Sequence, residues 1–372
     1  MLAVPRRPRA ARPVCTLSGL LTVDQARRLF SPESTYLNTA SYGLPPRPGF
    51  EALQAAADEW RHGRTGWDGW DRSVGESRER WARLHGVPAT WVAVGNQVSS
   101  FAGLVAMSLP RGARVVCAHG DFTSVLWPFL AAPGLEVSMV ELEDVPSAID
   151  ARTALVAVSA VQSFDGRVAD LEAIEAACTS SGARSFIDAT QASGWLPLDG
   201  TRFDYLAASG YKWLLSPRGV CFMSIRPEAA EPLQPFLAGW YAGDDPFETN
   251  YGAPMRLAAD ASRFDLSPAW LSWVGTAPAL GVLEAVGIEA IHAHDVGLAD
   301  RFRAGLGRPP GDSAIVSIAP AGSLGKSLRA AGVMATERDG AMRFSFHVFN
   351  TEADVDRALE VVVGAGAAAR SA

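Results

Sequence analysis

The sequence has 372 residues, of which 48% are hydrophobic and 20% are charged, a composition typical of a globular chain with room for two domains. The formal net charge of -7 gives no overall attraction to nucleic acid or to an anionic membrane surface. No run reaches the roughly 18 apolar residues of a membrane span. We therefore expect a small-molecule partner, without nucleic acid or membrane.

The cysteines are widely spaced and form neither a paired metal-ligand motif nor a disulfide framework. They are Cys15, Cys117, Cys178 and Cys221. We expect reduced thiols in a cytoplasmic protein without a bound metal. The N-terminus is rich in Arg and Pro and predicts a disordered tail over residues 1–20, with a nucleic-acid-binding arm as the less favoured interpretation.

The predicted elements begin with a short helix from Thr22, its cap, to Phe30, and an amphipathic helix from Glu51 to Arg64 that precedes a loop rich in Gly and Trp. The middle of the chain then alternates strands with helices. The predicted strands are Trp91 to Val94, Arg114 to Ala118, Glu136 to Val140, Ala154 to Ser159, Arg184 to Ile187, Tyr205 to Ala208 and Val220 to Ser224. This spacing predicts an α/β fold with a mostly parallel seven-stranded sheet that includes one antiparallel strand.

The pattern changes after about Gly275. A long helix is followed by strands at Ala314 to Ile318 and Met342 to Phe346 and by a final helix from Glu352 to Val363. These elements predict a smaller α+β domain. The expected organisation is therefore a tail (1–20), an N-terminal segment beside the functional site (21–45), a large domain (46–270) and a small C-terminal domain (271–372).

Two consecutive predicted strands end beside an acid and a lysine. Asp188 ends a short apolar run, and Lys212 follows the next strand. Because functional groups of open α/β sheets gather at the carboxyl ends of strands, both side chains can reach one ligand. A lysine in this position is most often solvated, but the aromatic neighbours Tyr211 and Trp213 favour burial. Burial would lower the pKa of Lys212 and favour a nucleophilic amine.

An amine, an acid and hydrogen-bond donors are the groups that pyridoxal 5'-phosphate (PLP) requires for its Schiff base, its pyridine nitrogen and its phosphate. The segments Asp188-Ala-Thr-Gln191 and Ser209-Gly-Tyr-Lys212-Trp resemble the class V aminotransferase family of fold type I. That family includes cysteine desulfurases, kynureninase and isopenicillin N epimerase-like enzymes. The resemblance extends over nearly the whole chain, from the segment that begins at Tyr36 to the one that ends at Thr351.

The resemblance implies a role for each residue of the two motifs. Lys212 would carry the cofactor, Asp188 would pair with the pyridine nitrogen, Gln191 would bond the phenolic oxygen and Ser209 would bind the phosphate. The catalytic residues would be Lys212, Asp188 and Tyr211, which precedes the lysine.

Further cofactor contacts are implied by other matching segments. Asn96 and Gln97 lie in a turn before a predicted helix, where backbone amides and the helix dipole receive a phosphate. Phe122 aligns with the ring that stacks on the pyridine, and Ser163 stands near the family's asparagine beside the cofactor oxygen. Thr276 resembles the threonine that reaches the phosphate from the neighbouring subunit, which implies a homodimer with shared active sites. Core packing for Phe122 and a helix cap for Thr276 are the structural alternatives.

The substrate-binding residues are also implied by resemblance. Arg343 matches the arginine that clamps the substrate α-carboxylate, for which a planar guanidinium is well suited. Asn38, Ala40 and Ser41 are expected to approach the same carboxylate. Trp240 is a candidate for lining a bulky substrate pocket, with core packing equally favoured.

The reaction that follows removal of the Cα proton is less clearly indicated. No cysteine occurs from Leu324 to Met342, where desulfurases of the family hold their sulfur-accepting cysteine, and Tyr211 replaces a frequent histidine. The leading hypothesis is a carbon–sulfur β-lyase that acts on a cysteine S-conjugate in a biosynthetic tailoring pathway, through a Lys212 Schiff base and a Cα carbanion. The alternatives are an aminotransferase or oxidative deaminase, an epimerase and, least favoured, an inactive PLP-fold binding protein.

Overall fold

The computed structural model describes residues 19–371, with side chains described up to residue 365. Residues 1–18 of the predicted tail, with Cys15, lie outside the described residues. The strands are β1 Thr35–Tyr36, β2 Val92–Gly95, β3 Arg114–Ala118, β4 Glu136–Val140, β5 Thr153–Ser159, β6 Arg184–Asp188, β7 Tyr205–Ser209, β8 Cys221–Ile225, β9 Ile315–Ile318, β10 Val333–Met334, β11 Thr336–Arg338 and β12 Ala341–Ser345. The helices are α1 Val23–Arg27, α2 Arg47–Arg61, α3 Trp67–Leu84, α4 Val98–Ser108, α5 Thr123–Ala131, α6 Val145–Ala148, α7 Leu171–Ser181, α8 Pro227–Ala230, α9 Trp270–Val286, α10 Ile288–Gly305, α11 Leu324–Ala330 and α12 Glu352–Ser371.

The central sheet has seven strands in the order β2-β8-β7-β6-β5-β3-β4. Strand β8 is antiparallel to both of its neighbours, and the remaining neighbours pair in parallel, so the predicted mixed sheet is confirmed. The inner strands are buried along nearly their whole length because helices cover both faces, which explains their continuous apolar runs.

The parallel strands bring their carboxyl ends to one edge of the sheet. Strand β6 ends at Asp188, β7 ends three residues before Lys212, and β5 ends four residues before Ser163. Strand β3 leads into Asp121 and Phe122 at the same edge. Residues far apart in sequence therefore meet at this edge.

A second, smaller unit is built around the antiparallel sheet β11-β12-β9, which packs with parts of α10, α11 and α12. The N-terminal segment joins this unit, since β1 pairs with β10 and Asn38 bridges to Ser345. Helix α9 instead packs against α2 and α3 in the core of the large unit. Judged by which unit each helix packs against, the boundary between the large and small units falls near Gly287. This is one helix later than the predicted boundary at residue 271.

Helix α3 begins at Trp67, where the sequence predicted a loop. The Trp67 ring stacks on Phe247, with 4.2 Å between centroids, and α3 packs along α9. The packing of α3 against α9 outweighs the helix cost of Gly69 and Gly75, about 1 kcal/mol each. Over the described residues, no single helix is long and apolar enough to cross a membrane. Only the pair α9 and α10, bent by 82°, meets that test jointly.

A buried ion pair secures the strand that leads into α4. Asp265 accepts bonds from Arg78 Nη2 at 2.5 Å and from the backbone amide of Val94 at 2.8 Å. The amide of Leu266 donates to the carbonyl of Val94 at 2.9 Å. The turn at Asn96 is thus attached to the segment that precedes α9.

Asp265→Ala is expected to lower the free energy of unfolding by about 3 kcal/mol or more, because it leaves the Arg78 guanidinium without its partner in a largely buried position. Urea denaturation measures the change. The matched control is Glu360→Ala, which removes an exposed partner of Arg357 and should cost less than about 1 kcal/mol. Equal losses in the two variants would contradict the role assigned to Asp265.

Candidate active site

A small cavity at the carboxyl edge of the sheet collects most of the predicted cofactor residues. Its walls carry one amine, one carboxylate, two aromatic rings and several hydroxyl or amide groups. The lining residues are Val98, Phe122, Ser124, Ser159, Ser163, Asp188, Thr190, Gln191, Ser209, Tyr211 and Lys212.

Lys212 is one of only two lysines in the chain, and it is 4% exposed, whereas Lys326 lies exposed on α11. Its Nζ lies 5.2 Å from the centroid of Phe122 and 5.6 Å from that of Tyr211. Burial lowers the pKa of Lys212, and the positive charge of Arg343 lowers it further. The amine is therefore shifted toward the neutral, nucleophilic form.

Asp188 is the acid of the cavity. Its Oδ1 accepts a bond from the backbone amide of Thr190 at 2.8 Å. Burial raises the pKa of Asp188, while the bonds from Thr190 and the charge of Lys212 oppose that rise. A second buried acid, Asp121, lies nearby and accepts bonds from the Ser159 amide and hydroxyl at 2.7 and 2.5 Å. The sequence reasoning missed Asp121, although its position directly after β3 was a usable signal.

Gln191 connects the cofactor end of the cavity with the N-terminal segment. Its Nε2 donates to the carbonyl of Ala40 and to Ser163 Oγ, both at 3.0 Å, and its Oε1 accepts from Trp213 Nε1 at 2.8 Å. An amide nitrogen has two hydrogens, so both are used by protein acceptors here. Bonding of Gln191 to a cofactor oxygen requires one of these bonds to be exchanged.

Arg343 is only 1% exposed and forms no salt bridge with a described acidic residue. Its guanidinium donates to the carbonyl of Ser163, to Ser163 Oγ at 3.1 Å and to Ser41 Oγ at 2.8 Å, and its Nε has no partner among the residues that the structure describes. Burial lowers the pKa of Arg343 to about 10, so the group stays cationic at neutral pH. A buried cation without a counter-ion is costly, which indicates that an anion binds here.

The N-terminal residues support this arginine to different degrees. Ser41 contacts Arg343 directly, and Ala40 receives the bond from Gln191 while its amide donates to Ser345 Oγ at 3.0 Å. Asn38 does not contact Arg343 directly, and its Oδ1 instead accepts a hydrogen bond from Thr336 Oγ1 at 2.6 Å. Thr336 was not anticipated from the sequence.

The predicted phosphate end lies at the N-terminus of α4. Gln97 precedes the helix without capping it by its side chain, and Asn96 Oδ1 accepts from Ser100 Oγ at 2.9 Å. Both side chains are exposed, and Val98 of the same turn lines the cavity. Ser209 ends β7 on the opposite wall, where its amide donates to Thr190 Oγ1 at 3.0 Å.

Thr276 does not reach this site. It lies inside α9, fully buried within its own subunit, and its hydroxyl donates to the carbonyl of Ser272 at 2.8 Å. The predicted contact with a neighbouring subunit is inconsistent with this burial. A hydroxyl residue before a proline also occurs at Ser267-Pro268, in the loop that precedes α9, and Ser267 is exposed.

Trp240 is likewise outside the described cavity. Its ring lies 5.7 Å from Phe247 and 6.3 Å from Trp270, in an aromatic cluster that also includes Trp67. Within one subunit, Trp240 therefore packs in this aromatic cluster and does not line the cavity.

The backbone after Lys212 is held by a buried pair that the sequence reasoning missed. His347 Nδ1 lies 2.7 Å from Asp295 Oδ2, and His347 Nε2 lies 3.0 Å from the carbonyl of Trp213. Both side chains are inaccessible to solvent. The small unit thus contacts the backbone of the lysine segment at Trp213.

The thiols that the structure describes are all buried: Cys117, Cys178 and Cys221. Burial raises the pKa of each thiol, so none is a ready nucleophile at neutral pH.

These groups fit PLP. The cavity supplies an amine for the aldehyde, a buried carboxylate for the ring nitrogen, the Phe122 ring for a flat face, and an uncapped helix N-terminus for the phosphate. On a mostly parallel sheet with a smaller C-terminal unit, they define a PLP-dependent enzyme of fold type I.

The chain belongs to the class V aminotransferase family, whose model matches residues 103–321. Two curated relatives cover 91% of the chain. The uncharacterized aminotransferase YcbU of Bacillus subtilis is 28% identical over 97% of its own length, and the isopenicillin N epimerase of Streptomyces clavuligerus is 27% identical over 98%.

Solved structures share the fold. The Escherichia coli cysteine desulfurase CsdA superimposes with a TM-score of 0.80 at 18% identity, covering 93% of this chain and 98% of its own. The cystine C-S lyase C-DES, solved with its product cysteine persulfide, has a TM-score of 0.79 at 20% identity, covering 88% and 97%.

In the apoprotein, the rate at which Lys212 attaches PLP should rise with pH and level off well below pH 10.5, the usual pKa of a lysine amine. The reason is that only the neutral amine attacks, and burial lowers the pKa at which it forms. Borohydride reduction and peptide mapping should locate the label on Lys212. Lys326→Ala is the matched control and should not change the profile. Attachment that keeps rising up to pH 10.5 would contradict the lowered pKa.

Proposed function

We propose that this enzyme is a carbon–sulfur lyase that cleaves the Cβ–S bond of a cysteine S-conjugate and releases a thiol, pyruvate and ammonia. The observation that carries the proposal is the adjacency of a base and an acid. The buried Lys212 amine, shifted toward its neutral form, lies 5.6 Å from the ring of Tyr211. Burial raises the pKa of Tyr211 above its usual 10.0, so the phenol is protonated at neutral pH.

Arg343 provides the substrate anchor in this proposal. Its uncompensated guanidinium is suited to a bidentate bond with the α-carboxylate, and Ser41 and Ser163 hold it in place. A carboxylate at this position would supply the counter-ion that the described residues do not.

The proton transfers follow from the two neighbouring side chains. PLP, when bound, supplies an electron sink that weakens the Cα–H bond. Lys212 accepts the Cα proton, the Cβ–S bond breaks with its electron pair on sulfur, and Tyr211 donates a proton to the leaving thiolate. Water then hydrolyses the released three-carbon amine to pyruvate and ammonia.

The fate of the sulfur favours a lyase over a persulfide-forming desulfurase. The described thiols are buried with raised pKa values, and residues 324–342 contain no cysteine. The thiol product would therefore leave to solvent. Similarity to a cystine C-S lyase and to cysteine desulfurases is compatible with carbon–sulfur chemistry on this fold.

Epimerisation is the second candidate, favoured by the isopenicillin N epimerase that matches over nearly its full length. An epimerase with two proton carriers needs them on opposite faces of Cα. Here the two candidate carriers lie beside each other, with the Lys212 amine 5.6 Å from the Tyr211 ring, and Phe122, which also lies near the amine, has no proton to transfer. Transamination remains the other alternative, since it uses the same base.

We also propose a cytoplasmic homodimer in which the exposed loop at Ser267, rather than Thr276, approaches the phosphate of the neighbouring subunit. The exposure of Ser267 directly before α9 supports this assignment. A biosynthetic tailoring role remains part of the proposal.

Incubation of the holoenzyme with S-substituted cysteines should release thiol and pyruvate in equal amounts. Thiol is measured colorimetrically and pyruvate with lactate dehydrogenase. Lys212→Ala should abolish both products, and Lys326→Ala should retain them. Keto acid without thiol would indicate transamination, and inversion at Cα without either product would indicate epimerisation; each result would overturn the lyase proposal.

Tyr211→Phe should slow cleavage of S-alkyl cysteines by about 100-fold, because an alkyl thiolate is a poor leaving group that needs a proton. Cleavage of an S-(nitrophenyl)cysteine, whose thiolate leaves unprotonated, should fall far less. The measurement is kcat/KM for the two substrates in both proteins. An equal loss for both substrates would remove Tyr211 from the role of proton donor.

A further inference from the structure

The wall of the site that carries Arg343 presents a second arginine. Strand β11 pairs with β12 so that Thr336 lies opposite Arg343, and Arg338 lies opposite Ala341. Residues directly opposite each other share a face of an antiparallel sheet, as do residues two apart on one strand. Thr336, Arg338 and Arg343 therefore share one face.

That face is directed toward the substrate side of the cavity. Thr336 and Arg343 both contact the Ser41 hydroxyl there, at 3.2 and 2.8 Å. Arg338 lies close enough for its charge to lower the pKa of both Lys212 and Arg343. Unlike Arg343, the Arg338 side chain is exposed, which places it at the rim.

Arg338 has no acidic partner among the residues that the structure describes. Its neighbour Glu337 points to the opposite face of β11, and Asp339 follows in the turn to β12. A second guanidinium without an acidic partner among the described residues, that of Arg218, lies 4.8 Å from the Tyr211 ring, and its charge also lowers the pKa of Lys212. The guanidinium groups of Arg218, Arg338 and Arg343 thus form an excess of positive charge near the amine that no described acid pairs with.

The anions of the proposed reaction do not account for this excess. Asp188 serves the ring nitrogen, the phosphate is expected at the N-terminus of α4, and the substrate α-carboxylate pairs with Arg343. Arg338 lies on the same sheet face as Arg343 and has no counter-ion among the described residues. A second anionic group on the substrate would supply it.

We propose that the enzyme selects amino acids whose side chain carries a second anionic group, and that Arg338 binds that group. This inference rests on the proposed function, since it assumes that Arg343 holds the α-carboxylate of an amino-acid substrate. For a cysteine S-conjugate, the anion is a carboxylate or sulfonate on the departing thiol.

The first test compares S-carboxymethyl-L-cysteine with S-carbamoylmethyl-L-cysteine, which has nearly the same shape but no charge. The wild type should favour the acid by about tenfold or more in kcat/KM, and Arg338→Gln should remove most of this preference. The matched control is Arg329→Gln, which changes an exposed arginine of α11 and should keep the wild-type ratio.

The second test needs no cleavage. L-glutamate and L-glutamine are titrated into the holoenzyme, and their Kd values are read from the change in cofactor absorbance. Tighter binding of glutamate, lost in Arg338→Gln and kept in Arg329→Gln, would support the inference even if no thiol is ever released and the lyase proposal fails. Equal Kd values in the wild type, or a preference unchanged in Arg338→Gln, would overturn it.

Discussion

The site depends on three charged groups that are buried without pairing with one another. Lys212, Asp188 and Arg343 are each at most 4% exposed, and none forms a salt bridge with another. Burial destabilises each charge, so the amine is shifted toward its neutral form while the acid becomes harder to ionise. The cavity therefore suits PLP, which brings a basic ring nitrogen and an aldehyde.

Holding such groups out of water requires a rigid surrounding, and the polar contacts of the site provide it. Gln191 is hydrogen-bonded to Trp213 in the lysine segment and also to Ala40 and Ser163. Ser163 in turn accepts a hydrogen bond from Arg343. His347 supports the same lysine segment from the small unit. Residues of the cavity in the large unit and Arg343 of the small unit thus belong to one hydrogen-bonded network.

The N-terminal segment closes this network by very tight packing. The amide of Gly43 donates to the carbonyl of Tyr211 at 2.9 Å, and a Cβ at Gly43 would lie 2.0 Å from the carbonyl oxygen of Lys212. Only glycine allows this approach. The same segment brings Ser41 to Arg343, so the position of this arginine depends on residues about 300 positions away in sequence.

The sequence by itself determined the α/β fold, the strands and the positions of Asp188 and Lys212 at the ends of neighbouring strands, because apolar periodicity and residues at strand ends are local signals. It could not show that Thr276 is buried inside α9, because that burial depends on how the helix packs against its neighbours. It also missed Asp121, His347, Thr336 and Arg338, since their importance arises from strand register and from packing between units. Which side chains are buried, and which share a face of a sheet, depends on contacts between residues that are distant in sequence. Only the tertiary structure decides these contacts.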